Sequence, residues 1–349
     1  MFRWEKLGKV FGPQDVKDLD WMKEYAQSPS VLIYDDIVRV YFCCRPLPDG
    51  KGQYVSRLGY VELNRKNLFD VLRVSREPIL SLGEIGTFDE FGTYPASVIR
   101  NGKDIRVYYA GWTRSESVPF CAAIGVAVSN DDGQTFERIG SGPVLSYSVD
   151  EPFVLGSPKI RRFNGVWYLW YASGRRWIEY EGRWEPVYKI RMAFSNDGLE
   201  WTKYGKNILE SKLEEDECQA SADVFWLKDR YHMLFSYRYN LDFKKTERER
   251  GYRIGYAWSD NLTNWIRDDL QVGIGVSEQG WDSETISYPH VFELENNIYM
   301  LYQGNQIGKY GFGLARLEDY LCQAPSEMKG LETASRRCGK RRRKFSMGK

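Results

Sequence analysis

Apolar positions fall in short runs of five or six residues, mostly β-branched and aromatic, and the runs come in pairs joined by two or three polar residues. The clearest pair lies between Trp281 and Asn305. Glu284 comes first, Pro289 follows five residues later, and the runs His290 to Leu294 and Ile298 to Tyr302 flank a polar turn at Glu295–Asn297. The same plan starts at Glu24, Glu90, Glu151 and Glu217, with anchors at Pro29, Pro95, Pro158, Ala222 and Pro289. The spacing of about 65 residues marks a repeat architecture. Runs of this length and residue type are strands rather than helices. Asn101–Gly102 and Asn164–Gly165 supply turn residues that tolerate positive φ.

A third run follows each pair, as in SRLGYVEL from Ser56, AAIGVAVS from Ala122 and YRIGYAWS from Tyr252. A fourth follows a polar turn: FERIG from Phe136, WTKYG from Trp201 and WIRDD from Trp265. Four antiparallel strands repeated five times predict an all-β fold, a five-bladed β-propeller. The fifth repeat stops after its third strand, and the segment from Trp4 to Gly8 matches the fourth-strand pattern from Trp201 to Gly205. The N-terminal strand is therefore expected to complete the last blade and close the ring, which removes an open sheet edge. Residues 1–322 are read as the propeller, and residues 323–349 as a basic, flexible tail.

Composition narrows the setting. No apolar leader follows Met1, and no run approaches the length of a membrane span. The six cysteines show no CxxC spacing, as expected of buried thiols in a reducing compartment, so the chain is read as cytoplasmic. The net charge of +1 conceals an asymmetry: nine basic residues after Leu321 face only Glu327 and Glu332. The tail suits contact with an anionic surface, whereas the acidic body argues against a nucleic-acid partner.

First strands of propeller blades line the central channel. Residues just before them, and those ending the second strands, are expected at one mouth. This gathers Glu90, Glu151, Glu217 and Glu284 with Asp89, and adds Arg45, Trp112, Trp177, Arg238 and Asn305; His290 points into or beside the channel. Acids, arginines and aromatic plates around a concave mouth suit a carbohydrate ligand. Glycosidic cleavage needs one protonated and one ionised carboxyl, and crowded carboxylates supply such a pair. Glu90 with Glu217 or Glu284 is the expected acid/base pair, with Glu151 orienting it.

The turn Ser259-Asp260-Asn261-Leu262-Thr263-Asn264-Trp265 resembles the S-D-L-x-N-W turn of the five-bladed propeller glycosidases, the superfamily of glycoside hydrolase families 43 and 32. Glu217-Cys218 followed by Ala222-Asp223 is loosely similar to the Glu-Cys-Pro-Asp motif of invertases. FDEFGTYPASVI from Phe88 and GWDSETISYPHVF from Gly280 resemble a branch often encoded in surface-polysaccharide loci. The resemblance covers about residues 1–320 and implies a glycoside hydrolase-like enzyme of glycan metabolism. It implies no required cofactor and no metal among the catalytic groups, and leaves open an axial ion near His290. Ser28, Ala96 and Gly156 stand where the arabinanase type carries catalytic acids. Two further readings therefore stand beside hydrolysis: glycosyl transfer in polysaccharide assembly, and sugar binding without catalysis.

Overall fold

The paired apolar runs form the inner strands of five four-stranded antiparallel sheets. The structure, a computed structural model, describes residues 1–320; the expected basic tail lies outside the described residues. The N-terminal strand β1 (Phe2–Phe11) precedes the first blade, which is β2 (Glu24–Ile33), β3 (Ile37–Arg45), β4 (Arg57–Asn64) and β5 (Asn67–Val74). The second blade is β6 (Thr93–Asn101), β7 (Asp104–Thr113), β8 (Cys121–Ser129) and β9 (Glu137–Arg138). The third is β10 (Leu155–Phe163), β11 (Val166–Tyr180), β12 (Arg183–Ser195) and β13 (Thr202–Lys203). The fourth is β14 (Cys218–Leu227), β15 (Arg230–Arg238), β16 (Arg253–Ser259) and β17 (Ile266–Arg267). The fifth is β18 (Ser287–Leu294), β19 (Asn297–Gln303) and β20 (Phe312–Tyr320), and β1 pairs with β20 as its outer strand. The ring closes as the sequence predicts.

Five apolar clusters fill the gaps between successive blades. Alternate residues of one strand serve opposite gaps. Tyr41 and Cys43 pack toward the second blade, whereas Val40, Phe42 and Cys44 pack toward the fifth. Strands buried on both faces read as unbroken apolar runs, which explains the pattern of the inner pairs. Burial pushes the Cys43 and Cys44 thiols up, out of the reactive range.

Turns between third and fourth strands tie one blade to the next. Asp131 Oδ1 accepts the backbone N–H groups of Gln134 and Thr135, and Asp197 Oδ1 those of Leu199 and Glu200. Tyr41 and Tyr108 of the preceding blades donate to the carbonyls of Gly133 and Gly198. Both glycines adopt positive φ, and a Cβ at either would run into that tyrosine hydroxyl.

Phe2 carries much of the closure, being 1% exposed and packed on Trp4, Phe225, His232 and Tyr256. Phe2→Ala is expected to cost about 3–5 kcal/mol, the range for truncating a buried aromatic. The midpoint of urea denaturation checks this.

Second strands end on one face of the ring, at Arg45, Thr113 and Arg238. The connections that follow them, with the long β11–β12 hairpin, rise around that face and form the walls of the candidate site.

Candidate active site

At the axial mouth lies a cavity of about 570 Å³, within the range of small-molecule sites. Ten aromatic residues line it: Tyr25, Tyr54, Phe91, Tyr94, Trp112, Phe120, Tyr188, Phe243, Tyr252 and Tyr288. Arg45, Arg114, Arg238 and Lys244 supply positive charge, and Glu185 is the one carboxylate among the described lining residues.

Arg45 ends β3, and its guanidinium carbon sits 4.5, 5.2 and 5.3 Å from the ring centres of Tyr25, Tyr54 and Tyr94. Arg238 ends β15, is 3% exposed, and lies 3.5 Å from the centre of the Phe243 ring. It donates to the carbonyls of Tyr239 and Asn240 and to Tyr188 Oη. The Nε atoms of Arg45 and Arg238 are buried without a hydrogen-bond partner. Lys244 is exposed at the rim; the protein crowded around its ammonium holds it below the usual lysine range, against the opposing pull of Glu185. Arg114 is neutralised by Asp49 at 2.8 Å. Arg45, Arg238 and Lys244 form no ion pair among the described residues. Arg45 and Arg238 among the aromatic rings, with the exposed Lys244 at the rim, constitute an anion-binding arrangement.

Trp112 lines the cavity, packs against Phe120 with ring centres 4.1 Å apart and the planes tilted by 32°, and donates its indole N–H to the Tyr94 carbonyl. Trp177 lies outside the lining and reaches this wall through Phe120, edge-on at 5.4 Å, and through Pro186, its partner across the β11–β12 pair. Asn305 lies outside the lining: its Oδ1 accepts the N–H groups of Glu284 and Thr285, and its Nδ2 donates to the Gly280 carbonyl. His290 is buried on the axis, 3% exposed, beneath Tyr288 of the cavity wall.

The structure does not gather the repeat glutamates at the mouth. None of Asp89, Glu90, Glu151, Glu217 and Glu284 is among the cavity-lining residues. Four blades instead use an acid at this place to clasp a cation of their own outermost strand. Asp89 pairs with Arg138 of β9 at 2.6 Å, Glu151 with Lys203 of β13 at 2.5 Å, Glu217 with Arg267 of β17 at 2.6 Å, and Asp282 with Lys6 of β1 at 2.7 Å. Tyr109, Tyr171 and Tyr302 donate to Asp89, Glu151 and Asp282. The acid recurs because these four blades need their outer strand tied to the inner ones.

Burial pushes the Glu151 and Glu217 carboxyls up, but Lys203 and Arg267 outweigh it and hold both below the usual carboxylate range. Glu90 accepts from Gly86 N–H and Thr113 Oγ1, and the Gly86 N–H leads in lowering its pKa. Glu284 is exposed and lines an adjoining cavity of about 440 Å³ with Glu247, which burial and then Glu284 push upward.

Several lining residues lie outside the repeat pattern. Tyr54 belongs to the β3–β4 connection, Phe120 to the β7–β8 connection, and Phe243 and Lys244 to a long polar insertion between β15 and β16. Glu185 sits on the β11–β12 hairpin, which is longer than its counterparts. The unusual length of those two segments is the signal in the sequence that could have found them.

No family model matches the chain. The uncharacterized protein MT1551 of Mycobacterium tuberculosis is 34% identical over 317 residues, covering 90% of this chain and 99% of that protein. The chain belongs to the family of that mycobacterial protein. A β-1,2-mannobiose phosphorylase of Thermoanaerobacter sp. (strain X514) is 24% identical over 168 residues, 45% of this chain and 52% of the phosphorylase. Among solved structures, a glycoside hydrolase superposes with a TM-score of 0.69 at 16% identity, covering 94% of this chain and 95% of the other. A thermostable family-43 glycoside hydrolase gives 0.60 at 15% identity (84% and 88%). The β-1,2-mannobiose phosphorylase of Listeria innocua gives 0.64 at 12% identity (90% and 96%). The fold is that of the five-bladed propeller glycosidases and phosphorylases, as the sequence motifs imply.

Proposed function

We propose that the mouth cavity is the active site of a glycan-processing enzyme that moves a glycosyl group between a sugar hydroxyl and a phosphate oxygen. The observation that carries this reading is the lining itself: among the described residues, Arg45, Arg238 and Lys244 form no ion pair with a carboxylate, and Glu185 is the only lining acid. Hydrolysis of a glycosidic bond calls for two carboxyl groups, one to protonate the leaving oxygen and one to activate water or attack carbon. A phosphate dianion is itself the nucleophile, so one carboxyl suffices. The names of the two mannobiose phosphorylases support the same choice.

In this reading Arg45, Arg238 and Lys244 hold phosphate, and Trp112 with Phe120 packs on the sugar face. The C1–oxygen bond of the glycoside breaks as a phosphate oxygen bonds to C1. The Glu185 carboxyl gives its proton to the leaving oxygen, and the glycosyl phosphate monoanion then returns a proton to Glu185. Run backwards, the same steps transfer sugar from a phosphate-linked donor to an acceptor hydroxyl. Glu151 and Glu217 serve the scaffold, and Glu90 and Glu284 stand at the border of the site.

The test is titration of inorganic phosphate by calorimetry, followed by phosphorus NMR with β-linked disaccharides, β-1,2-mannobiose first. Saturable phosphate binding and phosphate-dependent formation of a glycosyl phosphate are expected. Absence of phosphate binding, or release of free sugar at a rate indifferent to phosphate, overturns the reading. Glu185→Gln is expected to lower kcat by 10²–10⁴-fold, the usual weight of a general acid, with phosphate binding retained.

A further inference from the structure

The axis beneath the cavity carries its own polar ring. Four of the five blades present a channel residue whose side chain meets the backbone of the next blade. Ser30 Oγ accepts the Val98 N–H at 2.9 Å, and Ser97 Oγ the Ile160 N–H at 3.3 Å. Asp223 Oδ2 accepts the Val291 N–H at 2.5 Å, and His290 Nε2 the Val31 N–H at 3.0 Å. The remaining place in the ring belongs to Lys159 of β10. An ammonium has no lone pair and can only donate. Lys159 is 1% exposed, and its Nζ has no hydrogen-bond partner among the described residues.

His290 adds a second stranded donor. Because Nε2 accepts from Val31, the proton of the neutral ring is on Nδ1. Nδ1 also lacks a hydrogen-bond partner, and Asp223 Oδ2 stands 3.7 Å away. Asp223 is already saturated. Its Oδ1 accepts from Arg161 Nε and Nη2, and its Oδ2 from Arg161 Nη2 as well as Val291 N–H. The charged groups at this level are therefore Lys159, Arg161 and Asp223, with Ser30, Ser97 and His290 completing the ring, and one positive charge is left over. A buried charge without a counter-charge is strongly unfavourable.

A cation does not fit here. Both ring nitrogens of His290 are committed, one to Val31 and one to its own proton, and two positive side chains face a single saturated carboxylate. No cluster of three His, Cys, Asp or Glu among the described residues could hold a metal ion. The axial ion that the family resemblance leaves open has no cation ligands in this ring.

We propose that the propeller axis is a binding site for a small inorganic anion of halide type, held by the Lys159 ammonium and the His290 Nδ1–H. The anion compensates the charge that the ring leaves over and satisfies both donors at once. Ser157 and Tyr288, two residues before Lys159 and His290 on their strands, line the mouth cavity, so the site lies just below its floor. The proposal is independent of what the cavity binds.

The test uses bromide as the probe. Protein exchanged into sodium gluconate is melted over a bromide titration at constant ionic strength, and crystals grown in sodium bromide are examined for anomalous scattering. A saturable rise in melting temperature is expected, about 4 °C at a hundredfold excess over Kd for a chain of this size, with one anomalous peak against Lys159 Nζ. In Lys159→Met, which removes the charge in similar volume, the peak and the bromide dependence should both vanish. A melting temperature indifferent to bromide in the wild-type protein, or a water in place of the axial peak, overturns the proposal. Should the Lys159→Met chain not fold, the two wild-type measurements decide alone.

Discussion

Glu217→Gln is expected to destabilise the fold by about 3 kcal/mol, the lower end of the cost of breaking a buried ion pair. Glu217 is fully buried and receives Arg267 Nη1 at 2.6 Å, Gln219 Nε2 at 2.8 Å, and the N–H groups of Lys212 and Leu213 at 3.0 Å each. Removing its charge leaves the Arg267 guanidinium, with a side chain 3% exposed, to Asp269 alone. That surviving partner places the cost at the low end. The pH dependence gives a second readout. The folded-state pKa of Glu217 is lowered, because Arg267 outweighs the upward push of burial. Its stabilisation is therefore fully present above the unfolded-state value of about 4.3 and is lost as pH falls through the lower folded value. Between those two values, acid denaturation of the Gln variant should be less steep than that of the wild-type protein. Urea midpoints at pH 7 and across pH 3 to 5 check both statements. A Glu217→Gln protein of unchanged stability, defective only in turnover, would falsify the scaffold assignment.

The same glutamate shows where the sequence was legible and where it was not. The period of about 65 residues and the paired apolar runs fix the five blades, because strands packed on both faces must read as continuous apolar segments. The outer strand β5 of the first blade escapes the pattern: of its eight residues only Leu68 is buried, so it offers no apolar face to detect. Arg45, Trp112 and Arg238 were accessible to reasoning because the ends of second strands return to one face. The repeat acids misled for a physical reason. Asp89, Glu151, Glu217 and Asp282 do what four of the blades need, holding a fourth strand, whereas a ligand site is asymmetric and built where the repeats differ. Glu185 and Lys244 come from segments longer than their counterparts in the other blades, so periodicity is silent about them.

Arg45→Ala is expected to raise the KM for phosphate by about 10–100-fold, the equivalent of losing one charge-assisted hydrogen bond of about 1.5–3 kcal/mol, while kcat falls less. The expectation rests on what Arg45 is not doing. Unlike Arg138, Arg191 and Arg267, it has no carboxylate within ion-pair distance among the described residues, so its removal strands no buried acid. Its flat guanidinium lies among three tyrosine rings, a geometry that holds the fork toward the cavity and costs little further ordering when an anion arrives. Arg45→Lys keeps the charge but loses the stacked plane and the bidentate fork, so only part of the affinity should return. Initial rates with phosphate varied at saturating disaccharide separate the cases. A KM that moves in the alanine variant and partly recovers in the lysine variant identifies Arg45 as a phosphate ligand. Equal loss of stability in both variants, with KM unchanged in whatever folds, would reduce it to a packing residue of the wall and leave Arg238 and Lys244 to hold the phosphate.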